Sequence, residues 1–546
     1  MSHKKRFRQP LRWFFSGRAA ALAASIVVTI AAAGTAPAWG QKQGGVLRVY
    51  NSSNPPSLSI HEEGTIATVM PMASLFNNLV LSDQSKPKSS LDTVVPDLAE
   101  SWSYDDTQTK LTFKLRQGVK WHDGKPFTAK DVQCTWHWLI DKERSRFRKN
   151  PRKVWYSNLK EVTVDDDYQA TFHLEHPQPS LLTLLASGFG VVYPCHVPAK
   201  EMRTNPIGTG PFKFVEFKSN TSIKVERNPD YWKPGLPYLD GIEWTLIRSR
   251  PTRILAFTAG EFDLTFVSDV TLPLMEQVKE QAPGAICKMA PTNVSSNLAV
   301  NRDNPPFDNP DLRLALELAM DRQSFIDIAY HGEGSWSGAM LPPPEGSWGM
   351  SRVELEKLEN YAGTVEERRV KAREIMQSQG YGPSNRLPVK VSTRDFSSYK
   401  DAAVILVDHL NQIYFDAELE IVESSLYFSR MIRGDYQIAL NLSGSGVDDP
   451  DAVLKAGYMC GAQNNYTKYC NEQVDALIEA QSRELDPATR KEIVWEIERV
   501  LAKDGARPII SHYKRATCWQ PHLKGIVRKE DSIYNDWRFE QMWLDK

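Results

Sequence analysis

Residues 96–131 are the part of the sequence that most restricts the fold. Apolar and polar residues alternate over 111–116, which is typical of a strand with one buried face. Gly118 ends this pattern, and the run His122-Asp123-Gly124 is typical of a turn in which glycine adopts a positive φ. A helix is predicted to begin near Thr128. The segment therefore predicts a strand, a tight turn and a helix in close succession.

The length of the chain requires several domains. A chain of 546 residues is too long for one hydrophobic core and corresponds to about three or four domains. In the final third, strand-like runs at 387–391, 419–422 and 436–442 alternate with helical patterns at 402–413 and 493–501. This alternation predicts an α/β fold.

Three shorter segments carry local predictions. The alternating runs 160–164 and 170–174 flank an acidic turn and predict a β-hairpin. The apolar segment from 70 to 79 predicts a helix. The run Gly208-Thr209-Gly210 before Pro211 predicts a tight backbone turn, and its spacing is not that of a phosphate-binding loop.

Residues 1–38 have the composition of a secretory signal peptide. Six basic residues precede an uncharged, alanine-rich run at 19–33, and Ala36-Pro37-Ala38 is a suitable cleavage site. Cleavage is expected after Ala38, with Gly40 as a second possibility, and export would place the protein in the periplasm. The alternative is a retained membrane anchor, because the apolar segment is barely long enough to span a bilayer.

Charge argues against a nucleic-acid partner. The full chain has 66 basic and 67 acidic residues, and removing the leader changes the net charge from −1 to about −7. An acidic secreted protein has no electrostatic basis for binding nucleic acid.

The six cysteines predict at least one disulfide. Cys460 and Cys470 close a short loop, and an oxidising compartment favours their pairing. The loop-entropy relation gives such a bond a stabilisation of roughly 2 to 3 kcal/mol. The sequence leaves open the pairing of the other four, Cys134, Cys195, Cys287 and Cys518.

The sequence lacks the common enzymatic motifs. It has no H-E-x-x-H, no G-x-S-x-G and no P-loop, and its eleven histidines are scattered. No catalytic residue, metal ligand or cofactor is therefore predicted.

Four segments together resemble one known family. They are PDLAESW through HDG within 96–131, GTGPF and ERNPDYW within 208–232, AGEFDL at 259–264, and the run that begins LAVNRD at 298. In this order they are similar to the family 5 solute-binding proteins, the extracytoplasmic receptors of ABC importers for peptides, nickel complexes and related solutes. The resemblance spans roughly residues 44–520.

The resemblance implies an α/β, two-lobed periplasmic-binding-protein-like fold (type II, cluster C) with an additional middle domain. The implied boundaries after the signal peptide at 1–38 are lobe I at 39–75, the middle domain at 76–205, lobe I again at 206–296, lobe II at 297–508, and a C-terminal segment of lobe I at 509–546.

The function that the resemblance implies is capture of a peptide or peptide-like small organic solute in the cleft between the lobes. The receptor would be a monomer that delivers its ligand to the permease subunits of an ABC importer in the inner membrane. Three alternatives stay open: a nickel or metal-chelate receptor, a secreted hydrolase, and a periplasmic chaperone or scaffold without a discrete ligand.

Arg394 is the first candidate binding residue. It matches the arginine that, in this family, pairs with the terminal carboxylate of a peptide, and a planar guanidinium suits that anion because it can donate two parallel hydrogen bonds. The alternative is a surface arginine at the start of a helix.

The loop before Asp449-Pro450 supplies the other candidates. The loop resembles the corresponding loop of the peptide-binding members of the family. In those proteins an aspartate four residues before the proline receives the ammonium group of the ligand, and a tryptophan stands seven residues before the proline. Here those positions are Gly446 and Ser443, and Ser445 and Asp448 complete the candidate site.

The missing aspartate predicts an altered specificity, because a buried ammonium needs a compensating charge. Either Asp448 shifts inward to supply that charge, or the ligand lacks a free α-amino group. The second case favours a modified peptide, an opine, a sugar conjugate or another small organic acid.

Overall fold

The computed structural model describes residues 40–142, 147–267 and 269–546. The signal peptide predicted at 1–38 lies outside the described residues. Among the helices of the described ranges, none is both long enough and apolar enough to cross a membrane.

The described ranges contain many strands and helices of ordinary length. The strands are β1 (Val46–Asn51), β2 (Val80–Ser82), β3 (Val94–Pro96), β4 (Ala99–Tyr104), β5 (Lys110–Leu115), β6 (Leu159–Asp166), β7 (Gln169–Leu174), β8 (Phe212–Lys218), β9 (Ser222–Arg227), β10 (Gly241–Leu246), β11 (Ile286–Val300), β12 (Gly334–Ser335), β13 (Leu387–Arg394), β14 (Phe415–Val422), β15 (Ile438–Gly444), β16 (Ile509–Trp519), β17 (Leu523–Lys524) and β18 (Trp543–Leu544). The helices are α1 (Ile66–Met72), α2 (Ala129–Leu139), α3 (Leu181–Ala186), α4 (Arg250–Thr258), α5 (Leu272–Gln281), α6 (Pro310–Ala319), α7 (Arg322–Ala329), α8 (Arg352–Leu355), α9 (Val365–Ser378), α10 (Ser397–Asn411), α11 (Ser424–Arg433), α12 (Ala456–Tyr458), α13 (Glu472–Arg483) and α14 (Pro487–Lys503).

Three larger sheets organise these strands. Sheet 1 has the order β1-β10-β9-β8, sheet 2 is the antiparallel order β4-β5-β7-β6, and sheet 3 has the order β12-β16-β11-β15-β13-β14. Sheets 1 and 3 mix parallel and antiparallel pairs, and helices pack beside the parallel pair β13 and β14. The fold is therefore mixed α/β, as the sequence predicts.

Strands β11 and β16 join sheet 1 to sheet 3. They form a long antiparallel ladder that runs from Ile286 opposite Trp519 to Asn297 opposite Ile509. At one end, Leu264 forms single bridges to both Val49 of β1 and Trp519. At the other end, β11 pairs with β15 inside sheet 3. Two long strands thus pass between the two sheets.

The structure contains three disulfide bonds. Cys460 pairs with Cys470, which confirms the sequence prediction. The four cysteines that the sequence left open pair as Cys134 with Cys195 and Cys287 with Cys518. Since Cys287 and Cys518 face each other in the β11–β16 ladder, their disulfide fastens the two crossing strands near sheet 1.

The segment 96–131 folds as its sequence predicts. The apolar residues of β5 are buried and the intervening ones are more exposed. Helix α2 begins after Thr128, whose side chain accepts from the backbone N–H of Asp131, while the Asp131 carboxylate accepts from the N–H of Thr128. This reciprocal capping satisfies two backbone donors that a helix start otherwise leaves unpaired. The hairpin predicted around 165–167 is formed by β6 and β7.

The helix predicted from 70 to 79 is wrong in its second half. Helix α1 ends at Met72, a 3₁₀ turn follows to Leu75, and the next residues are extended and buried. The reason is the buried carboxylate of Asp97, which accepts hydrogen bonds from the backbone N–H of Asn78 and the side-chain amide of Asn77, each at 3.0 Å. These two hydrogen bonds stabilise an extended backbone at residues 77–78, and the helix therefore does not continue.

Asp97 also brings together two of the motifs that resemble the family 5 proteins. Burial alone would raise the pKa of this carboxyl, but Lys233, at 3.1 Å, and Arg538 hold the pKa below its usual range. Lys233 follows the motif ERNPDYW, whereas Asp97 belongs to PDLAESW. The two motifs therefore form one buried ion-pair network that positions sheets 1 and 2.

Candidate ligand-binding cavity

A cavity of about 250 Å³ lies where β11 and β16 pass between sheets 1 and 3. Its walls come from segments far apart in the sequence, namely 52–67, 149–155, 266–267, 293–295, Ala339, 394–399, 428–432, 441–446, 452–466, 507–513 and 533–534. A concave site at the junction of two sheet-bearing units is where small ligands usually bind.

The crossing strands are irregular where they line this cavity. The β11–β16 register shifts between Pro291 and Ser295, and Asn293 adopts a positive φ of 48°. The Asn293 side-chain amide donates to the carbonyl of Asp531 at 2.8 Å, which fixes the bulge. A bulge re-aims side chains and interrupts the ladder, so the backbone of 293–295 forms part of the cavity wall instead of a continuous sheet.

Arg394 stands at the end of β13 and faces the cavity. It is 8% exposed, and its guanidinium carbon lies 5.5 to 5.7 Å from the rings of Phe396, Tyr399 and Phe428. Its Nε has no hydrogen-bond partner, and no carboxylate of the described ranges forms an ion pair with it. A buried cation without an anion is unfavourable, so this side chain favours an anionic ligand.

Arg507, which sequence reasoning missed, is a second such cation in the same cavity. It is 7% exposed, donates to the carbonyl of Asn464 at 2.7 Å and approaches the hydroxyl of Ser443 at 3.4 Å. Its guanidinium carbon lies 5.2 Å from the Tyr458 ring and 6.0 Å from the Tyr466 ring. Nothing in the local sequence marks Arg507 as functional, because its position follows from the tertiary fold.

Arg152 adds a third positive charge. Its guanidinium donates to the backbone carbonyls of Ile60, His61 and Glu63 at 2.6 to 3.1 Å and stacks 3.8 Å from the centre of the Phe189 ring. Burial lowers the pKa of Arg152 to about 10, so it remains protonated at neutral pH.

The acidic residues of the cavity are already neutralised. Glu62 accepts two hydrogen bonds from Arg203 at 2.7 and 2.8 Å, and Glu63 pairs with Lys149 at 2.9 Å and Arg148 at 3.3 Å. Because these carboxylates are balanced while Arg394 and Arg507 are not, the cavity is electropositive.

The loop predicted to bind the ligand borders the cavity in part. Ser443, Ser445 and Gly446 line it, as does Arg394. The Ser443 hydroxyl accepts hydrogen bonds from the side-chain amides of Asn297 and Asn441, whereas the buried Ser445 hydroxyl is held by the backbone of Val447. Ser443 is therefore the serine whose side chain belongs to the polar surface shared with Arg507.

Gly446 has little room for a side chain. A Cβ at this position would lie 3.0 Å from Cδ2 and 3.3 Å from Cε2 of Phe189. The Gly446 carbonyl accepts from the side-chain amide of Asn535 at 2.6 Å, which fixes the backbone. The aromatic ring of Phe189 thus crowds the position from which an aspartate side chain at 446 would extend.

We expect Gly446→Ala to lower the free energy of unfolding by about 1 to 3 kcal/mol, because the added methyl group overpacks against the Phe189 ring. Urea unfolding of Gly446→Ala, Phe189→Ala and the double variant measures the coupling. In the Phe189→Ala background the Gly446→Ala cost should nearly disappear. An equal cost in both backgrounds would show that Phe189 does not fill this space.

Asp448 does not line the cavity. Its Oδ2 accepts from the backbone N–H of Ser347 at 2.7 Å, and its carbonyl accepts from the indole N–H of Trp348 at 3.0 Å. Burial raises the pKa of Asp448 to about 7, and the neighbouring carboxylates of Asp531 and Asp449 add to the rise. In this structure Asp448 holds the loop against 347–348 and supplies no charge to the cavity.

Two further carboxylates, also missed from the sequence, fix this loop. Asp449 receives two hydrogen bonds from Arg490 at 2.8 and 3.0 Å. Asp451 begins a π-helical turn and accepts from the hydroxyls of Ser180 and Ser482 at 2.5 and 2.9 Å. These bonds tie the loop to both α14 and the residues before α3, so the cavity wall at 443–446 has rigid support.

His512 is the histidine of the cavity wall. Its Nδ1 lies 2.8 Å from the hydroxyl of Ser337, and burial lowers its pKa to about 3, so the ring is neutral. Within the described ranges, histidine, cysteine and carboxylate side chains form no group of three or more that could hold a metal ion.

Comparisons with known proteins agree on one family and one fold. The family described as bacterial extracellular solute-binding proteins, family 5 Middle, matches residues 93–465. A di/tripeptide-binding protein of Pseudomonas aeruginosa is 25% identical over 483 residues, which cover 83% of this chain and 85% of that protein.

Two solved structures share the fold across both chains. The Helicobacter pylori periplasmic protein DppA, in complex with the peptide STSA, has a TM-score of 0.80 at 23% identity and covers 92% of this chain and 99% of its own. The A. tumefaciens R10 protein AgaA, in complex with agropinic acid, has a TM-score of 0.79 at 22% identity with the same coverage. The α/β, two-lobed fold expected from the sequence is confirmed.

Proposed function

The chain belongs to family 5 of the bacterial extracellular solute-binding proteins, and from this premise we propose that it captures a peptide-like organic anion and delivers it to an ABC importer. The cavity between the lobes is the proposed binding site. Relatives and fold neighbours named for di- and tripeptides or solved with agropinic acid support a ligand of this size and polarity.

The observation that carries the proposal is the uncompensated guanidinium of Arg394. A ligand carboxylate beside it would supply the missing anion and accept two parallel hydrogen bonds. The aromatic rings of Phe396, Tyr399 and Phe428 hold the guanidinium in place, so little rotational freedom is lost on binding. Arg394 is therefore the proposed anchor for the carboxylate of the ligand.

The opposite end of the ligand carries no buried ammonium in this proposal. Gly446 offers no carboxylate, Phe189 fills the space beside it, and Asp448 faces away. The two acidic residues of the wall, Glu62 and Glu63, already have basic partners. We therefore favour a modified peptide, an opine, a sugar conjugate or another small organic acid over an unmodified peptide.

The other candidate functions receive less support. Among the described residues of the wall, a nickel or metal-chelate ligand would find one imidazole, the neutral ring of His512. The named relatives are binding proteins, which supports a chain that catalyses no reaction of its own. A cavity of about 250 Å³ lined by buried cations favours a discrete small ligand over a chaperone or scaffold role.

The domain boundaries and the location of the protein remain part of the proposal. The proposed middle domain, 76–205, includes all of sheet 2, and the proposed lobe II, 297–508, includes β12 to β15. Sheet 1 is formed within the two proposed lobe I segments, 39–75 and 206–296. We further propose export by the leader at 1–38, a periplasmic monomer and a permease partner.

Mass spectrometry of the solute released by denaturation tests the proposed function. Protein purified from the periplasm under native conditions should carry a stoichiometric solute with at least one carboxylate and no free α-amino group. The matched control is the Arg394→Ala protein from the same host, which should release much less of it. Release of a solute with a free α-amino group would contradict the proposal. The proposal would also be contradicted if no solute were released and a thermal-shift screen of acidic peptides found no ligand.

A further inference from the structure

We propose that Arg507 and Ser443 form a second anion subsite and that the ligand carries two anionic groups, one for Arg394 and one for Arg507. This inference rests on the proposed function, since it defines the ligand class of the same cavity. The predicted class is a small organic solute with two carboxylates or an equivalent pair of anionic groups.

The first argument is the condition of the Arg507 side chain. Its Nε is buried without a partner, and no carboxylate of the described ranges forms an ion pair with it. One terminal nitrogen is fixed by the carbonyl of Asn464, while the other has only the long 3.4 Å contact to Ser443. A buried guanidinium held in this way retains donor capacity that an anionic group in the cavity can use.

The second argument is the chemistry of Ser443. Its hydroxyl oxygen accepts from the amides of Asn297 at 3.1 Å and Asn441 at 2.9 Å. No acceptor for the hydroxyl hydrogen is found among the described residues, so that hydrogen is free to be donated. Ser443 and Arg507 together therefore present donors, and no competing acceptor, to one part of the cavity.

The third argument is that both cations belong to one continuous surface. Arg507 contacts the Tyr466 ring, the Tyr466 ring lies 6.2 Å from the Phe428 ring, and Phe428 contacts Arg394. Both guanidiniums line the same cavity of about 250 Å³. A single solute that fills this volume can contact both of them along the aromatic surface.

The charge balance then selects a doubly anionic ligand. Glu62 and Glu63 are paired with basic residues. The guanidinium of Arg152 already donates to three backbone carbonyls, whereas Arg394 and Arg507 have no carboxylate partner among the described residues. A ligand with one carboxylate neutralises one of the two and leaves the other cation buried. A ligand with two anionic groups neutralises both, and removing the negative charge from one end should therefore weaken binding strongly.

Matched pairs of probes test this inference by calorimetry on the purified, ligand-free protein. N-acetyl-Ala-Glu is compared with N-acetyl-Ala-Gln, and glutarate with glutaramate, because each pair differs by one carboxylate replaced by its amide. The wild-type protein should bind the doubly anionic member of at least one pair about 10 to 100 times more tightly.

Arg507→Gln should reduce this preference to within about threefold. Arg507→Lys, which keeps the charge but not the planar donor pair, should retain part of it. Arg394→Gln should weaken both members of a pair. Circular dichroism and urea midpoints close to wild type for Arg507→Gln separate a binding effect from misfolding.

Any of three results would overturn the proposal of a second subsite. These are equal affinities within both pairs, absence of binding by all four probes, and release of a natural solute with a single anionic group. Recovery of that singly anionic solute would still support the receptor function. If the receptor function itself were wrong, the result would differ: no solute would be released, and neither the wild-type protein nor the variants would bind any of the probes.

Discussion

Arg394→Ala is expected to weaken binding of the released solute by about 100-fold or more, which corresponds to roughly 3 kcal/mol. The reason is that truncation removes the cation that the ligand carboxylate would contact in a desolvated, aromatic-lined site. The carboxylate would then be buried without a partner. Isothermal calorimetry with the purified solute measures the change directly.

Two further variants show whether this loss is specific to the guanidinium. Arg394→Lys should recover only part of the affinity, since an ammonium cannot reproduce two parallel hydrogen bonds. Arg433→Ala, which removes an exposed arginine paired with Asp435 on the surface, should leave the affinity unchanged. A dissociation constant for Arg394→Ala within a few-fold of wild type would show that the ligand does not contact Arg394.

Sequence reasoning succeeded where local patterns decide the structure. The alternation in β5, the start of α2 near Thr128, and the hairpin of β6 and β7 follow from side-chain periodicity and turn chemistry alone. The short loop between Cys460 and Cys470 is another local constraint, and its disulfide was predictable for the same reason.

Sequence reasoning failed where a distant residue supplies the deciding contact. The helix expected from 70 to 79 ends early because Asp97, in another segment, binds the backbone of Asn78. The disulfides of Cys134 with Cys195 and of Cys287 with Cys518 depend on which strands become neighbours. No local pattern contains this information.

The binding cavity combines both cases. Arg394 and the loop at 443–448 could be selected from the sequence because their motifs resemble those of the family. Arg394, Ser443, Ser445 and Gly446 line the cavity, whereas Asp448 does not. Arg507 and Phe189 could not be selected, since each acts through residues far away in the sequence. Both residues bear on the missing aspartate: Phe189 crowds the Cβ position at 446, and Arg507 adds a second positive charge beside Arg394 in the cavity wall.

The run Gly208-Thr209-Gly210 shows why one of the most recognisable motifs is structural. The Gly210 N–H donates to the carbonyl of Leu75 at 2.9 Å, and the Gly208 carbonyl accepts from the N–H of His122 at 2.9 Å. The His122 ring in turn lies 3.1 Å from the Gly210 carbonyl oxygen. The motif is thus packed between the backbone at 75–76 and the turn that contains HDG.

Gly208→Ala is therefore expected to prevent folding or to cost more than about 4 kcal/mol of unfolding free energy. A Cβ at Gly208 would lie 1.8 Å from the carbonyl oxygen and 2.7 Å from the carbonyl carbon of Leu75. Both atoms belong to the backbone, which cannot rotate away as a side chain would, so the two segments must separate. The measurements are the yield of soluble protein from the periplasm and, where protein is recovered, its urea midpoint.

The matched control is Gly382→Ala, since no atom lies within 4 Å of a Cβ at Gly382 and this substitution should leave the urea midpoint close to wild type. A Gly208→Ala protein that accumulates normally and unfolds at the wild-type midpoint would contradict the close approach of Leu75. If the Gly208→Ala protein fails to accumulate while the Gly382→Ala protein is unaffected, the motif serves backbone packing between the lobe that carries sheet 1 and the segment 75–127. Ligand contact would then have no part in explaining it, because 208–210 lie outside the cavity wall.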